Sequence, residues 1–133
     1  SVREEVVTFL RKSFQGKGDL VVSLVDKMAR PGREAVKFQL GVLLGILRDL
    51  LLMQQSGSSE LVVNIDQIET LRKFADNLPQ ARIDLMIGEV EKALSLVERN
   101  VHVRLALVTL SRSLQASMHG DGSRTIELNL ARG

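Results

Sequence analysis

Residues 97–114 read VERNVHVRLALVTLSRSL and contain the feature that decides the fold, a junction between two helical segments. Apolar side chains recur at helical spacing on both sides of Asn100, and asparagine commonly ends a helix. Arg104 lies about one turn into the second segment. We expect its partner to come from that first turn or the preceding loop, or else from another subunit. The stretch contains no catalytic constellation, so it indicates helix packing rather than chemistry.

Outward from this junction, hydrophobic periodicity predicts six helices, over about 2–15, 19–29, 33–54, 67–77, 80–99 and 101–118. Asp19 and Asp66 are candidate N-caps, and Pro31-Gly32 and Leu78-Pro79 are breaks. The predicted core side chains are Val2, Val6, Phe9, Leu10, Phe14, Leu20, Leu24, Met28, Ile83, Ile87, Val90, Leu94, Val97, Val103, Leu107, Leu110 and Leu114.

The third helix carries LGVLLGILRDLLLM at 40–53 and is apolar on nearly all sides, which predicts a central position in a bundle. A membrane span needs about 20 apolar residues, and Arg48-Asp49 interrupts this run. Gly41 and Gly45 are four residues apart, and they either admit another helix closely or are tolerated helix glycines. We therefore expect an all-α bundle of about five to six helices.

Two segments have extended character. Residues 61–65 are rich in β-branched side chains, and residues 125–130 alternate apolar with polar side chains. Either these two segments pair as strands, or residues 125–130 form a frayed tail. We expect a helical domain over 1–120 and a tail over 121–133.

Length and composition are those of one globular domain with an aliphatic core, since the chain has 133 residues and only 3% aromatic residues. It has no cysteine, which excludes disulfides and cysteine-based zinc sites and suits the cytoplasm. No signal peptide is visible. Because the chain starts at Ser1 rather than Met, we expect it to be a fragment of a longer protein.

Charge is distributed unevenly. Residues 1–40 contain eight basic and five acidic residues, and residues 60–100 contain five basic and eight acidic residues. This asymmetry either orients one copy against a neighbour or is ordinary variation of solvated faces. Lys27, Arg30, Arg33 and Lys37 surround the Pro31-Gly32 turn and are candidate phosphate contacts. No aromatic residues for base stacking accompany them. A helical nucleic-acid-binding domain is therefore the alternative function.

Catalytic motifs are missing from the sequence. It has neither a Gly-x-x-x-x-Gly-Lys-Ser/Thr phosphate loop nor a Gly-x-Ser-x-Gly elbow. His102 and His119 have no ligand partners at suitable spacing, so we expect a surface residue and a helix-terminal residue rather than a metal site. We predict no catalytic residue, no cofactor and no metal.

Four other side chains are candidates for structural or subunit contacts. Arg48 and Asp49 are adjacent on a helix and cannot pair with each other, so each needs a partner inside the domain or on another subunit. Leu85 and Leu96 are predicted on the polar side of their helix, where they are either unremarkable exposed leucines or interface contacts.

The order of these elements resembles a known family. Two short helices precede an apolar helix ending in ILRDLLLM, a short helix follows VVNIDQ, and a long helix runs through ERN into RLALVTLSRSL. This is similar to the C-terminal collar domain of bacterial clamp-loader subunits of DNA polymerase III, over residues 2–116. The sharpest parts are Leu47 to Leu52, Asn64 to Asp66 and Glu98 to Leu110. They are packing patterns.

The resemblance implies a non-catalytic domain that joins other clamp-loader subunits in a closed ring, while ATP-binding modules open the sliding clamp. It implies hetero-oligomeric partners, contact with DNA only through the full complex, and no membrane. The chain carries no long proline-rich or charged extension, which favours the delta-prime type over the gamma/tau type. The strand-like tail departs from the family pattern.

Overall fold

The structure, a computed structural model, describes residues 1–56 and 68–119. These residues form six helices and contain no strand, so the predicted all-α class is confirmed. The helices are α1 (Val2–Gln15), α2 (Gly18–Ala29), α3 (Arg33–Ser56), α4 (Ile68–Asn77), α5 (Gln80–Glu98) and α6 (Val103–His119). The predicted extended segments at 61–65 and 125–130, the Asp66 cap and the tail at 121–133 lie outside the described residues.

Two helices organise the bundle. α3 packs against α1, α2, α4 and α5, and α6 packs against α1, α2 and α5. The central position predicted for the apolar helix α3 is therefore confirmed. Its core side chains are fully buried: Leu40, Leu43, Ile46, Leu47, Leu50 and Met53. The four-helix neighbourhood of α3 explains why so many of its positions are apolar.

Gly16 ends α1 in a left-handed backbone conformation. Its φ is +69°, and its amide N–H donates to the carbonyls of Lys12 and Ser13. A Cβ at this position would overlap the amide end of the Gln115 side chain on α6, which would then have to move. The backbone angle is therefore the main reason for glycine here.

The N-cap predicted at Asp19 was wrong, and of the predicted core residues of α2 only Met28 is fully buried. The helix begins at Gly18, its N-cap residue Lys17 makes no side-chain cap, and Asp19 lies in the first turn. The buried residues are Val21, Val25 and Met28, whereas Leu20 is exposed. Apolar residues occupy several consecutive positions of this helix, so periodicity alone is consistent with two different buried faces. Packing against α1, α3 and α6 determines which face is buried.

The other predicted core positions divide into two groups. Val6, Phe9, Leu10, Ile83, Val90, Val97, Leu107, Leu110 and Leu114 are buried as expected. Val2 and Phe14 at the ends of α1 are exposed, and Leu24, Ile87, Leu94 and Val103 are only partly buried. Met86 and Ala93 take core positions on α5 instead. The helices are thus placed correctly along the chain. What differs is which side of some helices is buried.

Four polar side chains that are buried or partly buried in the bundle are hydrogen-bonded. The Ser13 hydroxyl donates to the Phe9 carbonyl and lies 2.7 Å from the Ser111 hydroxyl, which joins α1 to α6. Gln39 Nε2 donates to the Met28 carbonyl at 3.1 Å, and Gln54 Nε2 donates to the carbonyls of Ala75 and Leu78. Polar residues therefore connect neighbouring helices at defined points of an otherwise aliphatic core.

Candidate assembly surfaces

The corner between α5 and α6 is a specific backbone structure. Asn100 has a φ of +67° and is the only non-glycine residue with positive φ in the described chain. Its N–H donates to the Val97 carbonyl at 3.2 Å, and the Val101 N–H donates to the Leu96 carbonyl at 3.0 Å. This pair of bonds is a Schellman helix end with Asn100 in the left-handed position. The predicted break at Asn100 therefore has a defined geometry.

Arg33 fastens α3 to this corner. Its Nη1 donates to the Val97 carbonyl at 2.6 Å and to the Val101 carbonyl at 3.1 Å, and the side chain is partly buried. Val97 lies in the last turn of α5, where carbonyls have no N–H donor four residues on within the helix, and Val101 lies in the corner itself. The sequence pattern places Arg33 in a basic patch and gives no sign of this role, because the two carbonyls lie more than sixty residues away in the sequence.

Arg104 is tied to α2. Its Nε donates to Oδ1 of Asp26 at 2.6 Å, and both side chains are about half exposed. The expected partner from the first turn of α6 or the preceding loop was wrong. α6 packs against α2, and this packing brings Asp26 to Arg104 across a long sequence separation. The pair lies near the corner and links α2 to it, in addition to α3.

The remaining residues of the basic patch do not form one continuous cationic surface. Lys27 Nζ lies 3.5 Å from Oε2 of Glu5, and Lys37 Nζ lies 3.5 Å from Oε2 of Glu34. Arg30 is exposed, and no partner for it is seen in residues 1–56 and 68–119. Carboxylates therefore neutralise two of the four candidate phosphate contacts, and Arg33 is directed at backbone carbonyls.

The adjacent residues Arg48 and Asp49 have different surroundings. Oδ2 of Asp49 lies 3.7 Å from Nη2 of Arg3 on α1, and both side chains are three-quarters buried. Burial raises the pKa of the Asp49 carboxyl, and the Arg3 guanidinium opposes that shift. Arg48 is exposed and has no ion pair among the described residues. Asp49 thus contacts its own domain, while Arg48 is directed outward.

Large apolar side chains are exposed on several helices. Leu85 on α5 is 45% exposed, as expected for the polar side of the helix, but Leu96 is partly buried next to the corner. Leu96 is therefore less exposed than its predicted placement on the polar side implied. Phe38 on α3 and Leu105 on α6 were not predicted to be exposed, yet they are 63% and 60% exposed. Both lie in apolar runs where exposure cannot be read from spacing.

The two histidines have separate surroundings. His102 is exposed and precedes α6, and its carbonyl accepts from the Ala106 N–H. His119 ends α6, where Nε2–H donates to the Phe14 carbonyl at 2.8 Å and the ring stacks on Phe14. Within residues 1–56 and 68–119, no group of three metal-ligating side chains comes together, and no helix is long and apolar enough to cross a membrane.

These features define a class, a helical-bundle domain in which a few polar side chains join neighbouring helices. The chain belongs to the family described as DNA polymerase III, delta subunit, C terminal, whose family model matches residues 1–114. It is therefore a C-terminal domain from a clamp-loader subunit of DNA polymerase III. No curated protein and no solved structure matches the chain.

Proposed function

We propose that this domain is a collar, which holds its subunit in the clamp-loader ring by binding other loader subunits and catalyses no reaction itself. The family match over residues 1–114 carries this proposal, because a clamp loader is an assembly of several DNA polymerase III subunits. The DNA-replication role of the chain then lies in assembly, and its contact with DNA is made through the full complex.

The distribution of exposed apolar side chains supports an assembly role. Phe38, Leu85 and Leu105 lie on three different helices, and each is at least 45% exposed. A ring of unlike subunits requires two different contact surfaces on each member. Large exposed apolar residues on separate helices are suited to two such surfaces. A single exposed leucine by itself needs no partner.

Removal of the domain from the full subunit tests the proposal. The intact subunit and a version that lacks this domain are each mixed with the other loader subunits at micromolar concentration and sedimented in an analytical ultracentrifuge. We expect the intact subunit to enter the loader and the shortened subunit to remain separate. Entry of the shortened subunit with unchanged affinity would contradict the collar role.

The delta-prime assignment is part of the proposal and has its own test, since the family description names the delta subunit. The full subunit is added to one loader preparation that lacks delta-prime and to another that lacks delta. Completion of the first preparation alone supports the delta-prime type, and completion of the second alone supports delta.

A further inference from the structure

One face of α3 is apolar although it lies outside the core. Phe38, Gly41, Gly45, Arg48 and Leu52 follow one another at intervals of three and four residues, and we call this set the outward stripe. Such spacing places side chains on one side of a helix. Phe38, Gly41, Arg48 and Leu52 are exposed, and Gly45 is partly exposed. The opposite side of α3 is the core of the bundle.

The two glycines of the outward stripe have no packing role inside the described chain. A Cβ built on Gly41 or Gly45 would meet no atom within 4 Å. Glycine in a helix interior costs about 1 kcal/mol relative to alanine. No helix of the described domain uses the narrow surface that these residues leave, so the close approach expected from their spacing does not occur within the fold.

The charge on the outward stripe points to the chemistry of an occupant. Arg48 is its only charged side chain and has no ion pair among the described residues, whereas the neighbouring Asp49 faces Arg3. A second copy of this chain would bring two Arg48 cations to the same contact with no carboxylate on either stripe. A partner with an acidic side chain opposite Arg48 would instead be complementary.

We propose that the outward stripe binds an apolar helix of another clamp-loader subunit, which places one carboxylate opposite Arg48. This inference rests on the collar role proposed above. Alternating intervals of three and four residues fit a nearly parallel or antiparallel helix pair, and the two glycines shorten the distance between its axes. Phe38 and Leu52 flank the glycines and enclose the contact.

The decisive variant is Gly41→Leu in the full subunit, with Gly41→Ala as its control. Gly41 is exposed in a helix interior, and a Cβ there meets nothing within 4 Å. Both variants should therefore remain folded with unchanged or higher melting temperature. We expect Gly41→Leu to weaken assembly with the other loader subunits at least about tenfold, because leucine blocks the close approach, and Gly41→Ala, which adds one methyl group, to retain most of it.

Charge variants at Arg48 give an independent measurement. We expect Arg48→Glu to weaken assembly and Arg48→Lys to retain most of it, with a smaller salt dependence in the glutamate variant. Because Arg48 is exposed, neither change should affect folding.

The outcomes separate this inference from the proposed function. Normal assembly of both Gly41→Leu and Arg48→Glu, in a subunit that itself joins the loader, would overturn the outward stripe as an interface and leave the collar role intact. Failure of the unsubstituted subunit to join would overturn both. If the subunit alone self-associates and Gly41→Leu abolishes that self-association, the outward stripe binds a second copy of this chain. That result would overturn the proposed partner.

Discussion

The α5–α6 corner and the outward stripe of α3 use their polar groups in opposite ways. At the corner, Arg33 and Asn100 bind backbone groups of the same domain, and Arg104 binds Asp26. On the outward stripe, Arg48 and the two glycines have no partner among the described residues. Residues of the same type therefore have different uses in this domain: some stabilise the fold, and others remain available to another subunit.

The largest expected contrast is between two phenylalanines. Phe9 on α1 is completely buried, and Phe38 belongs to the outward stripe. Phe9→Ala should lower the free energy of unfolding by about 3–5 kcal/mol, and Phe38→Ala should change it by less than about 0.5 kcal/mol. Urea unfolding followed by circular dichroism measures both. A loss of similar size in the two variants would show that Phe38 has an internal packing role.

Arg33 tests whether the corner is a structural feature. Arg33→Ala removes two hydrogen bonds from a charged donor to carbonyls of the corner, so we expect a loss of about 2 kcal/mol in unfolding free energy. Arg30→Ala is the control, since Arg30 is exposed on the same turn, and it should have almost no effect. Equal stability of the two variants, with weaker duplex-DNA binding in fluorescence anisotropy, would favour the nucleic-acid alternative.

Asn100 provides a smaller test of the same corner. Its positive φ costs a residue with a Cβ about 1 kcal/mol, less for asparagine than for most. Asn100→Ala should therefore destabilise the domain by about 1 kcal/mol, and Asn100→Gly should leave it unchanged or slightly more stable. Thermal melting of the two variants gives the comparison. Equal destabilisation by alanine and glycine would mean that the asparagine side chain, rather than the backbone angle, matters.

The smallest effect is the pH dependence from Asp49. Its pKa in the folded state is raised by burial, so its contribution to stability is complete below the unfolded-state pKa and is lost as pH rises through the folded-state pKa. Relative to Asp49→Asn, the unsubstituted domain should therefore lose stability between about pH 3.5 and pH 7. Urea unfolding at both pH values measures this difference, and a change of opposite sign would contradict the burial argument.

Helix number and approximate position could be predicted from the sequence, because breaks such as Pro31-Gly32 and the apolar period are local signals. The rotation of α2 could not, because Leu20, Val21, Leu24 and Val25 fit more than one face. The partners of Arg33 and Arg104 were also inaccessible, since both contacts join distant parts of the chain. The candidate residues of the assembly surfaces could be named from the sequence. Which of them face outward depends on tertiary packing.

The end of α1 at Gly16 has a consequence for the evolution of this domain. The φ of +69° disfavours residues with a Cβ, whereas the Gln115 amide that a new side chain would meet is the movable end of a long side chain. Among related sequences, position 16 should therefore hold glycine or, less often, asparagine, and position 115 should vary in length. A retained glycine at 16 beside a variable residue at 115 would mark the end of α1 as inherited with the fold, whichever subunits the domain binds.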